Sequence, residues 1–481
     1  MAYVITQNCC SDASCVVVCP VGCIHPTPDE PGFGTAELLH IDPQTCVDCG
    51  ACADACPVDA ILPGDKLSVD DEWYAGFNAG YYQDNPTAPE WYRRTPPQVA
   101  RVSADGLRVA IVGSGAAGFY AATALLRHPG VRVDMYEKLS APYGLIRYGV
   151  APDHPHTKAV TDQFRWPPGQ QKRFTLHLRV EIGQDITHDE LLRDHHAVIY
   201  AYGAAGERRL GIAGENLAGV VGALSFVGWY NGHPDHAALA PDLNGQRAVV
   251  IGTGNVALDL ARILTADPDA LAGTDIAAAA LASLRRSRIE EVVVLGRRGA
   301  EHAAFTTPEL YALSRAAGVD VIVDPDNVPA GTGRKLDLLR EIAARPATAG
   351  NKRIVLRFNT SPVEILGDHT VTGVRCSDGR IVQTGLVLRS IGFRGHAIAG
   401  VPFDDDTGTI PAVAGRVADG VYATGWIKRG PTGGIGTNRT CAEETVTTLL
   451  ADYEAGRLTA PQRPRAVNRR LRLWPVGSRG A

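Results

Sequence analysis

The stretch Arg108-Val-Ala-Ile-Val-Gly-Ser-Gly-Ala-Ala-Gly118 leaves a chain few choices of fold. Its apolar run, Val109 to Val112, predicts a buried strand, and Ala116 to Leu126 predicts a helix. Between them Gly113, Gly115 and Gly118 keep the spacing G-x-G-x-x-G. The first glycine allows a tight turn, the second lets backbone approach a pyrophosphate, and the third lets helix lie on strand. The helix N-terminus then turns free N–H groups and a positive dipole end toward phosphates. A second strand is predicted over Val131 to Glu137, ending in Glu137, where an acid can bind ribose hydroxyls.

The pattern recurs. Arg247 to Ala257 is another strand, turn and helix start, with Gly252, Gly254 and Ala257 in the form G-x-G-x-x-A. The chain therefore carries two dinucleotide sites. The strand predicted over Glu291 to Leu295 runs into Arg297 and Arg298, where a 2′-hydroxyl site would place an acid. Two guanidinium groups suit a 2′-phosphate, so this site is expected to take NADP. The segment between is longer than the usual ~20 residues, and Ile276 to Arg288 reads as a helix within it.

A chain of 481 residues with 45% apolar content implies two or three domains with sizeable cores. The net charge of −5 argues against nucleic acid or an anionic membrane surface as partner. No apolar run reaches bilayer-spanning length, and the N-terminal residues have neither signal-peptide nor transit-peptide character, so a cytoplasmic protein is expected.

Nine of the eleven cysteines lie before residue 57, which points to cofactor ligands rather than disulfides. Cys46, Cys49, Cys52 and Cys56-Pro57 form a complete C-x2-C-x2-C-x3-C-P run. In such runs the first three thiolates hold one 4Fe–4S cluster and the fourth reaches to another. The partner run, Cys9, Cys15 and Cys19-Pro20, keeps the register but has Asp12 where a second cysteine is expected. Crossing over, Cys19 completes the set of Cys46, Cys49 and Cys52, and Cys56 joins Cys9 and Cys15. The second set has three thiolates. It suits either a 3Fe–4S cluster, which is favoured, or a 4Fe–4S cluster with Asp12 or solvent at the fourth iron. Cys10 and Cys23 fall outside the register and read as packed thiols. Residues 1–64 resemble a dicluster ferredoxin of the seven-iron type, a small α+β domain. Residues 65–106 read as an aromatic-rich connector without clear period, either a strap against the next domain or local packing.

Beyond the fingerprints, Gly144-Leu-Ile-Arg-Tyr-Gly-Val-Ala-Pro-Asp-His-Pro155 closely resembles the adrenodoxin reductase family, ferredoxin–NADP reductases on a glutathione-reductase-like scaffold. The likeness continues through 226–232, 252–262, 296–299, 425–433 and Trp474-Pro-Val476. The resemblance implies an α/β architecture of two Rossmann-like domains: an FAD domain at 107–206 and 396–481, with the NADP domain inserted at 207–395. The fused ferredoxin departs from mitochondrial members and resembles bacterial fusion forms. The family's flavin contacts carry over to Ala117, Glu137, Leu145, Ile182, Trp426 and the backbone of Gly433, Gly434 and Ile435. Its nucleotide contacts carry over to Asn255, Val256 and Glu309. Gly430 to Thr437 reads as a glycine turn opening a helix, Arg439 to Leu450, whose N–H groups face a reduced flavin.

The expected activity is that of a ferredoxin–NADP reductase: hydride from NADPH to FAD, then single electrons to the fused clusters, an external ferredoxin, a cytochrome P450 or another one-electron acceptor. Hydride transfer needs no protein acid or base, so no catalytic residue is named; Asp153 and His154 either assist flavin protonation or hydrogen-bond within their loop. Lys428, Arg429 and Arg147 form a basic group that faces the fused domain, an external partner or solvent. A glutamate-synthase-like electron-input subunit and a non-enzymatic electron-wiring protein are the other two classes considered; the full-length ferredoxin run and the intact glycines weigh against them.

Overall fold

The computed structural model describes residues 2–86, 104 and 106–462. The Trp474-Pro-Val476 motif, and Trp91 and Tyr92 of the connector, lie outside the described residues. Backbone contacts divide the chain into two units. The first takes Met1–Arg147, His156–Gly206 and Phe393–Ala481, and the second takes Tyr148–Pro155 and Glu207–Gly392. The second unit's longer segment thus ends at 392/393, and the 148–155 loop goes with it.

In the first unit, the cysteine-rich segment is framed by two antiparallel pairs. Tyr3–Ile5 pairs with Ile61–Pro63, and Ile24–His25 pairs with His40–Ile41. The connector supplies a helix, Glu72–Asp84, that packs on Tyr3–Ile5 and His40–Ile41. Asn78 at its centre is buried, and its Oδ1 accepts from the N–H groups of Ile5 (3.2 Å) and Ile41 (2.9 Å). Tyr82 donates to the carbonyls of Cys23 and His40. Residues 72–84 are therefore packed as part of the cysteine-rich domain. The helix shows no apolar period because Trp73, Tyr74, Phe77 and Tyr81 contact one another and His40 around it.

The rest of the first unit is built on a six-stranded sheet in the order Arg416–Ala418, Val421–Ala423, Ala197–Tyr200, Arg108–Val112, Arg132–Glu137, Phe174–Leu178. All its pairs are parallel except the one between Arg416–Ala418 and Val421–Ala423. Burial on both faces explains the unbroken apolar run of Arg108–Val112. The helix Ala116–Leu126 and the helix Thr437–Glu454 pack on each other over this sheet. The latter opens two residues earlier and runs four residues further than the sequence indicates.

The second unit holds a wholly parallel sheet in the order Val220–Gly222, Leu386–Arg389, Arg247–Ile251, Glu291–Leu295, Lys352–Arg357, Val319–Val323. A three-stranded antiparallel sheet, Pro362–Leu366, Gly373–Cys376 and Ile381–Gln383, completes it. The helix expected over Ile276 to Arg288 is confined to Ala278–Leu284. Its flanks are drawn elsewhere, since the N–H groups of Ala277 and Arg288 bond to the carbonyls of Tyr230 and Leu243.

Candidate functional site

Both fingerprints form the turn that their glycines permit. Gly113 has φ +100°, and a Cβ there would stand 2.7 Å from the Ala201 carbonyl oxygen; one on Gly118 would stand 2.2 Å from the Gly113 carbonyl oxygen. The space beside Gly115 is open, with nothing within 4 Å of a Cβ. That is the position at which a pyrophosphate needs bare backbone. Glu137 ends its strand and is buried. Its Oε2 accepts from the Ser114 N–H (3.1 Å) and hydroxyl (2.6 Å), and its Oε1 from the Leu139 N–H (2.9 Å). The carboxylate is thus locked in orientation, with acceptor capacity left on Oε1.

Ala117 lies in the first helical turn, against Gly425: a Cβ on Gly425 would meet the Ala117 Cβ at 2.5 Å. From there the short helix Trp426–Arg429 leads into the glycine turn. Trp426 Nε1 donates to the Gly433 carbonyl (3.2 Å), and Gly433 and Gly434 are exposed. Arg429 bonds the Thr432 carbonyl and Asn438, while its buried Nη1 has no protein acceptor among the described residues. Ile435 is half-buried, Leu145 is exposed on the helix Gly144–Tyr148, and Ile182 is buried in the sheet core. Open backbone at Gly115, exposed turn glycines and an unpaired guanidinium nitrogen fit an anionic dinucleotide.

The second fingerprint behaves alike. Gly252 has φ +122°, with the Ser390 carbonyl oxygen 2.0 Å from a would-be Cβ, and Gly254 is open. Asn255 opens the helix Asn255–Thr265 and accepts the Thr306 N–H (2.8 Å); Val256 beside it is half-buried. Arg297 and Arg298 follow the strand Glu291–Leu295 and are both exposed, as a 2′-phosphate site requires.

Glu309 joins a cluster that the sequence did not announce. Its carboxylate, His154 and Asp259 place ligand atoms within 4.8 Å of one another. Arg262 occupies this cluster, bonding Asp153 (3.0 Å), His154 Nε2 (2.7 Å) and Asp259. A guanidinium already serves Asp153, His154 and Asp259, so the group is an ion-pair network rather than a metal site. Burial opposes charge on His154, but the Asp259 carboxylate beside it holds its pKa above the ordinary histidine value. Asp259 is likewise held low, against burial, by the Arg262 charge. The signal available in the sequence was the i, i+3 spacing of Asp259 and Arg262 on a fingerprint helix.

The cysteines form two sets. Cys52 lies on the helix Ala51–Asp54, and Cys49 is exposed beside it. Cys23 Sγ lies 3.4 Å from Cys19 Sγ. Its S–H holds the Cys19 and Cys46 thiols down to about 6, whereas burial pushes Cys52 up to about 12. Cys23, read from its spacing as a packed thiol, is buried against the Cys19 sulfur. Cys9, Cys15 and Cys56 line an apolar cavity whose wall includes Ile5 and Leu39. Burial raises all three thiols, so they would lose their protons only on binding a metal. Both sets fit iron–sulfur clusters in donor chemistry and surroundings.

Asp12 borders the same cavity and is 7% exposed. Its Oδ1 accepts the Ser14 N–H (3.2 Å), and its Oδ2 accepts the Ser14 hydroxyl (2.5 Å) and faces Arg439 Nη1 at 3.5 Å. Arg439 was not among the basic residues singled out from sequence. Of those, Lys428 pairs with Glu444, and Arg147 donates to the Pro142 carbonyl (3.3 Å).

Comparison with known proteins places these features. The family model described as pyridine nucleotide-disulphide oxidoreductase matches residues 107–437, and that of the 4Fe-4S binding domain matches 39–62. The chain is 48% identical to a probable ferredoxin/ferredoxin–NADP reductase of Mycobacterium tuberculosis, over 96% of this chain and 85% of the relative. It is 42% identical to the mitochondrial NADPH:adrenodoxin oxidoreductase of Homo sapiens, over 74% of this chain and 81% of that one. Among solved structures, Mycobacterium tuberculosis FprA in complex with NADPH is 44% identical with a TM-score of 0.69, covering 74% of this chain and 87% of that one.

Proposed function

The chain belongs to the pyridine nucleotide-disulphide oxidoreductases and, within them, to the ferredoxin–NADP reductases, and from that premise we propose how its residues divide the work. FAD would be held by the first fingerprint, at Gly113, Gly115, Ala117 and Gly118, by Glu137 at its ribose, and by Leu145, Ile182, Trp426 and the 433–435 backbone. NADPH would be held by Gly252, Gly254, Asn255, Val256 and Glu309, with Arg297 and Arg298 on the 2′-phosphate. The observation that carries this division is the different residue after each fingerprint's second strand, a buried carboxylate in one and two exposed guanidinium groups in the other.

The bound groups supply the chemistry: a hydride from NADPH to the flavin, and one-electron steps at the iron–sulfur clusters. The protein binds, orients and tunes. Arg262 fixes the 148–155 loop to the helix Asn255–Thr265 through Asp153 and His154, which favours positioning as the role of His154. Cys19, Cys46, Cys49 and Cys52 would hold a 4Fe–4S cluster. Cys9, Cys15 and Cys56, with three thiolates, favour a 3Fe–4S cluster. An external ferredoxin or a cytochrome P450 would draw electrons from the chain. No helix among the described residues is long and apolar enough to cross a membrane, and thiols clustered as ligands suit the reducing cytoplasm.

The test is an anaerobic NADPH titration followed by absorbance and EPR together, with NADH in parallel. Flavin bleaching by NADPH with matching cluster signals supports the relay. Bleaching with silent clusters reduces the chain to a flavoprotein reductase, and equal response to NADH removes the role given to Arg297 and Arg298.

A further inference from the structure

We propose that Asp12 is not an iron ligand but the anchor by which the cluster held by Cys9, Cys15 and Cys56 docks on the flavin turn, through Arg439, making that cluster the entry point for electrons. The proposal rests on the reading that residues 433–435 receive the flavin. Asp12 borders the cavity, but both its oxygens already have partners: Oδ1 accepts from the Ser14 N–H, and Oδ2 accepts from the Ser14 hydroxyl and faces Arg439. Arg439 Nη1 also donates to the Ser14 hydroxyl (2.7 Å) and the Asp12 carbonyl (3.3 Å), closing the same loop from the other side. One residue past the flavin turn, the Gly436 N–H donates to the Cys10 carbonyl (2.9 Å).

The contact continues into apolar packing. Cys10, Val58 and Ala60 share a single core cluster with Phe119 and Tyr120 of the first fingerprint helix, and Cys9 and Cys56 pack against it. Among the described residues, the other cysteine set offers no counterpart in that cluster: Cys49 is exposed, and Cys19, Cys46 and Cys52 are not part of the core shared with the fingerprint helix. Electrons from the flavin side thus meet the Cys9, Cys15 and Cys56 set first, and the Cys46 run second. Per NADPH oxidised to NADP+ and a proton, two electrons become available. One formally ferric site in each cluster becomes ferrous, and no covalent bond forms or breaks in these two transfers.

The experiment uses the full holoprotein with Asp12→Asn, Arg439→Gln, Arg439→Lys and the Asp12→Asn/Arg439→Gln pair. Iron content, EPR of the oxidised protein and anaerobic stopped-flow with NADPH are read for each. Asp12→Asn and Arg439→Gln are expected to leave iron content, EPR line shape and flavin reduction unchanged while slowing cluster reduction by about ten-fold or more, because one partner of a half-buried charge pair is lost. The double variant should be no slower than either single one, and Arg439→Lys should fall between. A changed iron content or line shape in Asp12→Asn makes Asp12 a ligand and overturns the proposal. So does an unchanged cluster rate in Arg439→Gln. If wild-type flavin bleaches without cluster reduction, the relay reading falls as well, which separates the two failures.

Discussion

Replacing Gly436 by alanine probes the docking contact by shape alone. Gly436 has φ −68° and ψ −33°, an ordinary helical conformation, so alanine meets no backbone strain there. By itself the change would stabilise by about 0.4–1 kcal/mol through the unfolded state. The added Cβ, however, would stand 2.3 Å from Asp12 N and 2.4 Å from both the Cys10 carbonyl oxygen and Ser11 C, where ordinary contact begins near 3.4 Å. These are backbone atoms and cannot swing aside, so the 10–12 loop must retreat by about 1 Å at an overpacking cost of about 1–3 kcal/mol. That retreat also breaks the bond from Gly436 N to the Cys10 carbonyl, worth about 1 kcal/mol. The balance is a loss of about 1–3 kcal/mol, confined to the seating of the cysteine-rich domain. Thermal unfolding should show a lowered midpoint for that domain with flavin retention unchanged, and stopped-flow should show slower cluster reduction. Thr440→Ala, at an exposed position of the same helix, should change neither. If Gly436→Ala keeps both the midpoint and the rate, the loop does not bear on the turn as described, and the reasoning fails.

Arg297→Ala with Arg298→Ala should lower kcat/KM for NADPH by about 10–100-fold, two charge-assisted bonds being lost, and leave NADH nearly unchanged; an unaltered NADPH to NADH ratio refutes the assignment. Arg262→Ala strands Asp153, Asp259 and His154 around a missing cation and should destabilise the second unit by about 3 kcal/mol in urea unfolding. Burial would raise the pKa of Asp134, but the hydrogen bond from His177 and the nearby His195 imidazole hold it well below the usual carboxylate range. A depressed folded pKa gives stability that is present above the unfolded value of about 3.9 and lost as pH falls through the folded one. The stability gap between wild type and Asp134→Asn should therefore be full at neutral pH and shrink below about pH 4; a gap independent of pH contradicts it. Asp12→Cys restores the full cysteine register and should add iron and abolish a three-iron EPR signal; an unchanged signal means that position 12 cannot reach the cluster.

What the sequence made legible was local. The turns at Gly113 and Gly252 were readable because a close carbonyl, from Ala201 or Ser390, enforces glycine within a short motif. The strand Glu291–Leu295 was readable because its apolar run is continuous within one short segment. What escaped depends on partners far along the chain. Arg439 and Asp12 lie 427 residues apart, and no spacing rule joins them. The helix Glu72–Asp84 hid because its burial is served by an aromatic stack and by Asn78 rather than by one apolar stripe. Glu309 was assigned by likeness to a nucleotide contact, but its company with His154, Asp259 and Arg262 needed the fold to bring 148–155 onto the second fingerprint helix.

Covalent fusion changes what a docking surface has to do. Separate electron-transfer partners rely on complementary charge to find each other, and their contacts must supply affinity. Two domains on one chain meet at an effective concentration that a covalent connection sets, so their contact need only orient. The contact around Gly436 has that character: one guanidinium, one carboxylate, one backbone hydrogen bond and a shared apolar core. Lys428 is correspondingly turned to Glu444 and Arg147 to the Pro142 carbonyl, within their own domain. Position 12 then explains two departures at once. The register expects a cysteine there, and the carboxylate that stands in its place meets Arg439. On the reading proposed above, one residue would both leave the set of Cys9, Cys15 and Cys56 a thiolate short and seat the 10–12 loop against Gly436.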